Sequence, residues 1–295
     1  MNLCIGTTAA AGNFGALARA GHTHLALSAD DGPLAEACRR GDWRYLKEIR
    51  RMADGEGIDF SMAHAPYGES HDIALRDAGR RRRVADLMSK WIDGCGILGS
   101  PVLVIHAGGE SGFECSREWE EIQDLNRDFF RRMAAKAEKA GIKIGVENLY
   151  DELLKKRGRK GGRFFGSLVD ELLSLVACGK PCSMGICLDV GHANIQGLDL
   201  AVAVRETGAA LCAVHLSDNR GGADDHLLPG RGSIDWNALI GALRTSGYDG
   251  ALLLECHGHL ARDRHRELYS LLIDVKCGFY ARTVEKFCKK HDLNR

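Results

Sequence analysis

Short apolar runs alternate with longer amphipathic stretches along the chain. The runs rich in Val, Ile, Leu and Ala predict strands over residues 2–6, 24–28, 58–64, 101–106, 142–147, 184–189, 211–216 and 251–256. Between them, apolar positions recurring at helical spacing predict helices over 43–55, 74–98, 117–140, 166–178, 197–207 and 235–246. Strands apolar on both faces suit a parallel sheet covered by helices. Eight of them alternating with helices predict an α/β chain closed as a (β/α)8 TIM barrel with right-handed crossovers. A doubly wound open sheet is the weaker alternative, because no GxGxxG follows the first strand. The glycines of "ADGEGI" and of "KAGIKI" fit loops that end a helix and lead into a strand.

A barrel of this kind needs about 250 residues. The chain has 295, which predicts a single barrel domain over residues 1–295. The tail from 260 to 295 reads as a C-terminal helical extension ending in basic residues. Two segments read as insertions, 151–165 after the fifth strand and 217–234 after the seventh. Both fall at the C-terminal face of the barrel, where barrel enzymes build their active sites.

Charge and cysteine narrow the partners. Forty basic and forty acidic residues give a net charge of zero. No global field recruits nucleic acid or an anionic membrane. The eleven cysteines form no CxxC pair and lie mostly inside apolar or helical runs. That pattern argues against a zinc knuckle and for reduced thiols in a cytoplasmic setting. The N-terminal stretch lacks a basic n-region, and no run is long and apolar enough for a membrane span, so the expectation is a cytoplasmic protein with no leader.

The chemistry concentrates where strands end. Glu147 closes "IKIGVE", Asp189 closes "MGICLD", His215 lies in "LCAVHL" and Glu255 follows "ALLL". A charged group at the end of a buried strand is costly unless something pairs with it. One divalent ion would satisfy all four. His64, His106 and His192 end or follow strands in the same way, and Asp224 and His226 lie in "ADDH" after the seventh strand. Carboxylate and imidazole donors without thiolate suit Mn²⁺, Co²⁺, Mg²⁺ or Zn²⁺ in an open site. The bland alternatives are real. A lone His in such a place is more often a hydrogen-bonded core residue, Asp189 could be a helix N-cap, and Asp224 and His226 could belong to a polar loop. Four coincidences on consecutive strands are harder to explain that way. Arg80 to Arg83 read as an exposed helix face, and His257 and His259 as surface residues. The basic residues Lys155, Lys156, Arg157, Arg159, Lys160 and Arg163 read as a solvated loop beside the rim, or as a phosphate contact.

The motifs "VENL", "CLDVGHANI", "VHLSDNRGGADDHLLPGRGSIDW" and "LLLEC" resemble the xylose isomerase-like barrels, a superfamily that includes endonuclease IV. The resemblance runs from about His64 to Glu255. One branch, the ketose 3-epimerases and related isomerases, implies a single ion on Glu147, Asp189, His215 and Glu255. Glu147 and Glu255 would then exchange a proton on opposite faces of a sugar, through an enediolate. In that branch His192 holds a substrate oxygen, and Arg220 is the nearest match to an arginine that also does so, one position early. His64 and His106 would line the substrate pocket. The endonuclease IV branch implies three Zn²⁺: one on His64, His106 and Glu147, one on the quartet, and one on His192, Asp224 and His226. Tyr67 follows His64 with that branch's HxxY spacing. The neutral charge and the acidic loop "SADDGPLAEA" favour a sugar or sugar-phosphate isomerase or epimerase, with no nucleic-acid partner. Cleavage of abasic DNA and a non-catalytic sugar-binding barrel are the alternatives. Homo-oligomerisation stays open.

Overall fold

The computed structural model describes residues 1–7, 14–19, 21–28, 32–109, 116–150, 164–256 and 285–291. Eight strands form one closed barrel in chain order: β1 (Asn2–Thr7), β2 (His24–Leu27), β3 (Asp59–His64), β4 (Val102–His106), β5 (Lys143–Glu147), β6 (Met184–Asp189), β7 (Leu211–Leu216) and β8 (Ala251–Leu254). Neighbouring strands run parallel, and β1 closes the ring against β8 from Asn2–Ala251 to Ile5–Leu254. Closure leaves no sheet edge exposed.

Nine α-helices lie among the described residues: α1 (Phe14–Arg19), α2 (Pro33–Arg40), α3 (Trp43–Gly55), α4 (Ala78–Leu98), α5 (Ser116–Ala140), α6 (Val169–Val176), α7 (Val190–Gln196), α8 (Leu200–Thr207) and α9 (Trp236–Thr245), with residues 285–291 also helical. Three of these, α1, α2 and α7, are absent from the sequence reading. The others differ from it at their ends, and the caps explain where. Asp77 accepts a hydrogen bond from the Arg80 N–H at 2.6 Å, so α4 begins at Ala78 and not at 74. The helix predicted over 197–207 begins only at Leu200, because Gly197 in the left-handed region (φ 79°) caps the end of α7 and Asp199 caps the start of α8. β8 stops at Leu254, one residue before Glu255, although the Glu255 N–H still donates to the Leu216 carbonyl at 2.9 Å. Of the C-terminal extension only 285–291 are described. The segment 151–163, with its basic cluster, and His257 and His259 lie outside the described residues.

Apolar burial explains the layers. One cluster packs α1 to α6 against the early strands around Trp91, Phe60 and Phe130. A second packs α7 to α9 and Phe287 against β6 to β8. The third fills the barrel itself with Cys4, Ala26, Met62, Val102, Val104, Cys187, Ala213 and Leu253. Side chains alternate across a strand. The next inward residue along each of six strands therefore follows by two: Met62 leads to His64, Val104 to His106, Gly145 to Glu147, Cys187 to Asp189, Ala213 to His215 and Leu253 to Glu255. Register sets His106 opposite Glu147 and Asp189 opposite His215, while His64, Glu147 and His215 lie opposite Val104, Cys187 and Leu253, so the six are staggered around the ring. The fold thus turns six ionisable side chains into the mouth of the barrel.

Candidate metal and active site

Glu147 is the hub of that mouth, with 1% of its surface exposed. Its Oε2 lies 2.9 Å from His64 Nε2 and 3.3 Å from His106 Nε2. Its Oε1 lies 3.3 Å from His215 Nδ1. The same His215 nitrogen is 3.5 Å from Glu255 Oε1 and 3.9 Å from Asp189 Oδ2. A second focus forms on Asp224, whose Oδ2 lies 2.9 Å from His226 Nε2 and 3.6 Å from His192 Nε2. The structure therefore brings His64, His106, Glu147, Asp189, His192, His215, Asp224, His226 and Glu255 together. Arg220 is exposed on the loop after β7, with no described contact to this cluster. Arg80, Arg82 and Arg83 are exposed on the first two turns of α4.

Local structure aims each group. Asp189 also serves as the N-cap of α7, its Oδ1 accepting from the His192 N–H at 2.7 Å, so the cap and the candidate ligand are one residue using different oxygens. Three histidines share one arrangement. Nδ1 of His64, His192 and His226 lies 2.7, 2.9 and 2.7 Å from the carbonyl oxygens of Ala65, Asn148 and Glu255. A carbonyl can only accept, so each Nδ1 carries the proton. Each Nε2 then faces a carboxylate with its lone pair, unless a second proton or a cation lies between. Metal-binding histidines show this arrangement, donating one ring N–H to a carbonyl and ligating through the other nitrogen. His226 holds its place in the left-handed region at φ 45°, a conformation costly for a residue with a side chain.

The electrostatics ask for positive charge. Burial is the largest influence on Asp189 and, with Glu147 and Glu255 nearby, raises it to about 6 against the opposing pull of His192. Burial would raise Glu147 as well, but His215 and His106 outweigh it and hold that carboxyl well below the usual range. Burial opposes charge on the imidazoles too. Even so, the neighbouring carboxylates raise His192 to about 10 and His226 to about 9, and Cys187, with Glu255 and Glu147, holds His215 well above its ordinary value. Protons thus occupy the place a cation would take. Asp189 Oδ2 and both His215 ring nitrogens are buried without a hydrogen-bond partner. Donor atoms of Asp189, His215 and Glu255 lie within 4.8 Å of one another, as do those of His64, Glu147 and His215 and of Glu147, Asp189 and His192. Donors about 2.1 Å from a shared ion sit up to about 4.2 Å apart, so these residues fit a divalent metal with sub-ångström closure.

Buried polar side chains that the sequence reading passed over fix the loops around the mouth. Asp218 is fully buried and accepts from the N–H groups of Asn219 (2.9 Å), Gly230 (2.8 Å) and Ile234 (3.3 Å) and from Trp236 Nε1 (3.0 Å). Its backbone pairs with Leu227 through two bonds of 2.8 Å. A Cβ at Gly232 would meet Asp218 Oδ1 and the Asn219 carbonyl at 2.2 Å, so only glycine lets the chain pass there. On the far side, Asp72 Oδ1 and Asn126 Oδ1 accept from Gly109 and Gly108 at 2.9 and 2.7 Å and clamp the turn after His106. Hydrogen bonds to a buried charged group each contribute about 1.5–3 kcal/mol. Asp218→Ala, which strands four donors, should destabilise the chain by at least about 3 kcal/mol, measurable by urea unfolding. A loss under about 1 kcal/mol would mean that the loop 217–234 is held by something else.

Over residues 14–273 the chain matches a family described as xylose isomerase-like TIM barrel. It is similar to the D-psicose 3-epimerase of Enterocloster bolteae, with 31% identity over 71% of this chain and 65% of that one. It is also similar to a protein of Cenarchaeum symbiosum named "Probable endonuclease 4", with 27% identity over 70% of this chain and 72% of that one. In three dimensions it resembles the IOLI protein crystallised with a zinc atom, at TM-score 0.72 and 17% identity, over 99% of this chain and 98% of that one.

Proposed function

This chain belongs to the xylose isomerase-like TIM barrel family, and on that premise we propose that it is a divalent-metal-dependent isomerase or epimerase of a sugar or sugar phosphate. The observation that carries the reading is the pair of carboxylates on β5 and just beyond β8. Glu147 and Glu255 approach the same His215 nitrogen, at 3.3 and 3.5 Å, from well-separated parts of the rim. Two carboxylates facing each other across one site can take a proton from a carbon on one side and return it on the other. Similarity to a D-psicose 3-epimerase supports this class of substrate, and the zinc atom of a structural neighbour supports a metal.

Glu147, Asp189, His215 and Glu255 would hold the ion. When bound, it supplies a Lewis acid that stabilises negative charge developing on substrate oxygen. The chain's own groups do the rest. His64 sits on Glu147 Oε2 and fixes that carboxylate's rotation. His192, with Nδ1–H on a carbonyl, offers Nε2 to a substrate hydroxyl. Tyr67, which packs against the His106 ring at 4.8 Å between centroids and is 55% exposed, presents an aromatic face beside the mouth.

One set of observations favours a second reading. His64 and His106 converge on Glu147 Oε2, and His192 and His226 converge on Asp224 Oδ2. Those contacts outline two further metal-capable groups, and a cluster of ions on them would suit phosphodiester hydrolysis. The similarity to the protein named an endonuclease 4 points the same way. Elemental analysis of untagged protein separates the two. About one Mn²⁺, Co²⁺ or Zn²⁺ per chain is expected for the epimerase. Two or three Zn²⁺ per chain, with cleavage of abasic DNA, would replace it with the hydrolase.

A further inference from the structure

We propose that Asn148 is a positioning residue that fixes Asp189 and His192 as one unit; this rests on the metal-site reading above. Asn148 follows Glu147 and is fully buried. Its side chain makes a two-point pair with the backbone of Asp189. Oδ1 accepts from the Asp189 N–H at 2.7 Å, and Nδ2 donates to the Asp189 carbonyl at 2.9 Å. An N–H must meet an oxygen at each end, so the network admits one orientation of the amide. The pair mimics one more rung of a ladder. The Asn148 N–H still reaches the Cys187 carbonyl at 3.4 Å. Beyond it, β5 and β6 have no backbone partners left to offer each other, and the amide supplies them.

The remaining polar atom acts on the histidine. The Asn148 carbonyl accepts from His192 Nδ1 at 2.9 Å. That contact sets the ring's rotation and leaves Nε2 to face Asp224. Every polar group of Asn148 is thus committed to the end of β6 or the first turn of α7. Asp189 is held at its backbone by this amide and at its Oδ1 by the His192 N–H, so Oδ2 alone is free to turn toward His215. Outer partners of metal ligands typically change metal affinity by about 10–100-fold, and Asn148 is such a partner for two candidate ligands on different elements.

The test compares Asn148→Ala with Leu243→Ala in the full-length, metal-stripped chain. Leu243 is fully buried in the outer cluster that packs α9, remote from the mouth. Its truncation costs stability without touching the site, typically by about 2–5 kcal/mol. Co²⁺ affinity is read by competition with a chelator, and ligand geometry by the visible absorption of bound Co²⁺. Asn148→Ala should weaken Co²⁺ by at least about 10-fold and shift its bands. Leu243→Ala should melt earlier and change neither. Wild-type affinity and spectrum in Asn148→Ala would overturn the assignment.

A metal-independent readout keeps this result separate from the metal reading. In the metal-free wild type the His192 Nδ1–H should give a slowly exchanging ring-proton resonance, identified by its loss in His192→Gln. Asn148→Ala should lose or move it, and Leu243→Ala should keep it. If wild type takes up no Co²⁺ the metal reading falls, and positioning is judged on this resonance alone. An unchanged resonance in Asn148→Ala then overturns it.

Discussion

Glu147→Gln and Glu255→Gln are each expected to lower kcat/KM by about 10³-fold or more, the range of a lost general acid–base group, while the barrel stays folded. Each substitution keeps the side-chain volume and removes one negative charge. At Glu147 that charge faces His64 and His106 through one oxygen and His215 through the other. A neutral amide cannot take a proton from carbon, and it binds a divalent ion more weakly than a carboxylate. Glu147 is one of the groups that raise His215, so removing its charge lets that imidazole release its proton, which leaves no buried unpaired cation there, and the fold survives. Circular dichroism and a cooperative melt check the fold, and turnover of a sugar found by screening checks the chemistry. Either variant within tenfold of wild type would sink the two-carboxylate mechanism. Unequal residual rates with the two epimers as substrate would show which carboxylate serves which face.

Removing the metal is the second large perturbation. A ligand that binds only the native state stabilises it by about 2.7 kcal/mol when free at 100 times its Kd. For a chain of this size each kcal/mol moves Tm by about 2–4 °C, so chelation should lower Tm by about 5–10 °C and abolish turnover. Restoring Mn²⁺, Co²⁺ or Zn²⁺ should recover both. The gain arises at Asp189 and His215, whose buried atoms lack a hydrogen-bond partner in the protein. Full turnover after exhaustive chelation, with Tm unchanged, would remove the metal from the proposal.

Much of this architecture is legible in the sequence, for a physical reason. Buried parallel strands are continuous apolar runs, and each of the eight runs predicts a strand whose observed ends lie within two residues of it, with 184–189 and 211–216 matched at both ends. The side-chain parity that turns Glu147 and His215 into the barrel is hidden by the same property, because a run apolar on both faces does not show which residue points in. Placement at strand ends had to stand in for direction. Helix α2 carries a start-and-stop signature, Pro33 at its start and Gly41 at φ 73° past its end, but at eight residues it shows too little of a period to stand out beside the acidic stretch that precedes it. Helix α7 spans only Val190–Gln196, too short to display a period. Arg220 was placed by counting from a motif, and a loop need not keep that count. Asn148 and Asp218 carried one signal, a polar residue next to a buried run, but their partners become neighbours only once the barrel closes.

The floor of the barrel carries a consequence of its own. Burial holds the Cys4 thiol up at about 12 and Cys187 higher still, and the thiolate is the form that reacts with alkylating reagents. Both thiols are fully enclosed, directly beneath the ionisable mouth. While the ring of strands is intact they are chemically silent, and when it parts they become ordinary thiols. The chain therefore contains its own clock for opening of its central sheet, read as mass added to two interior cysteines, with no dye or label attached.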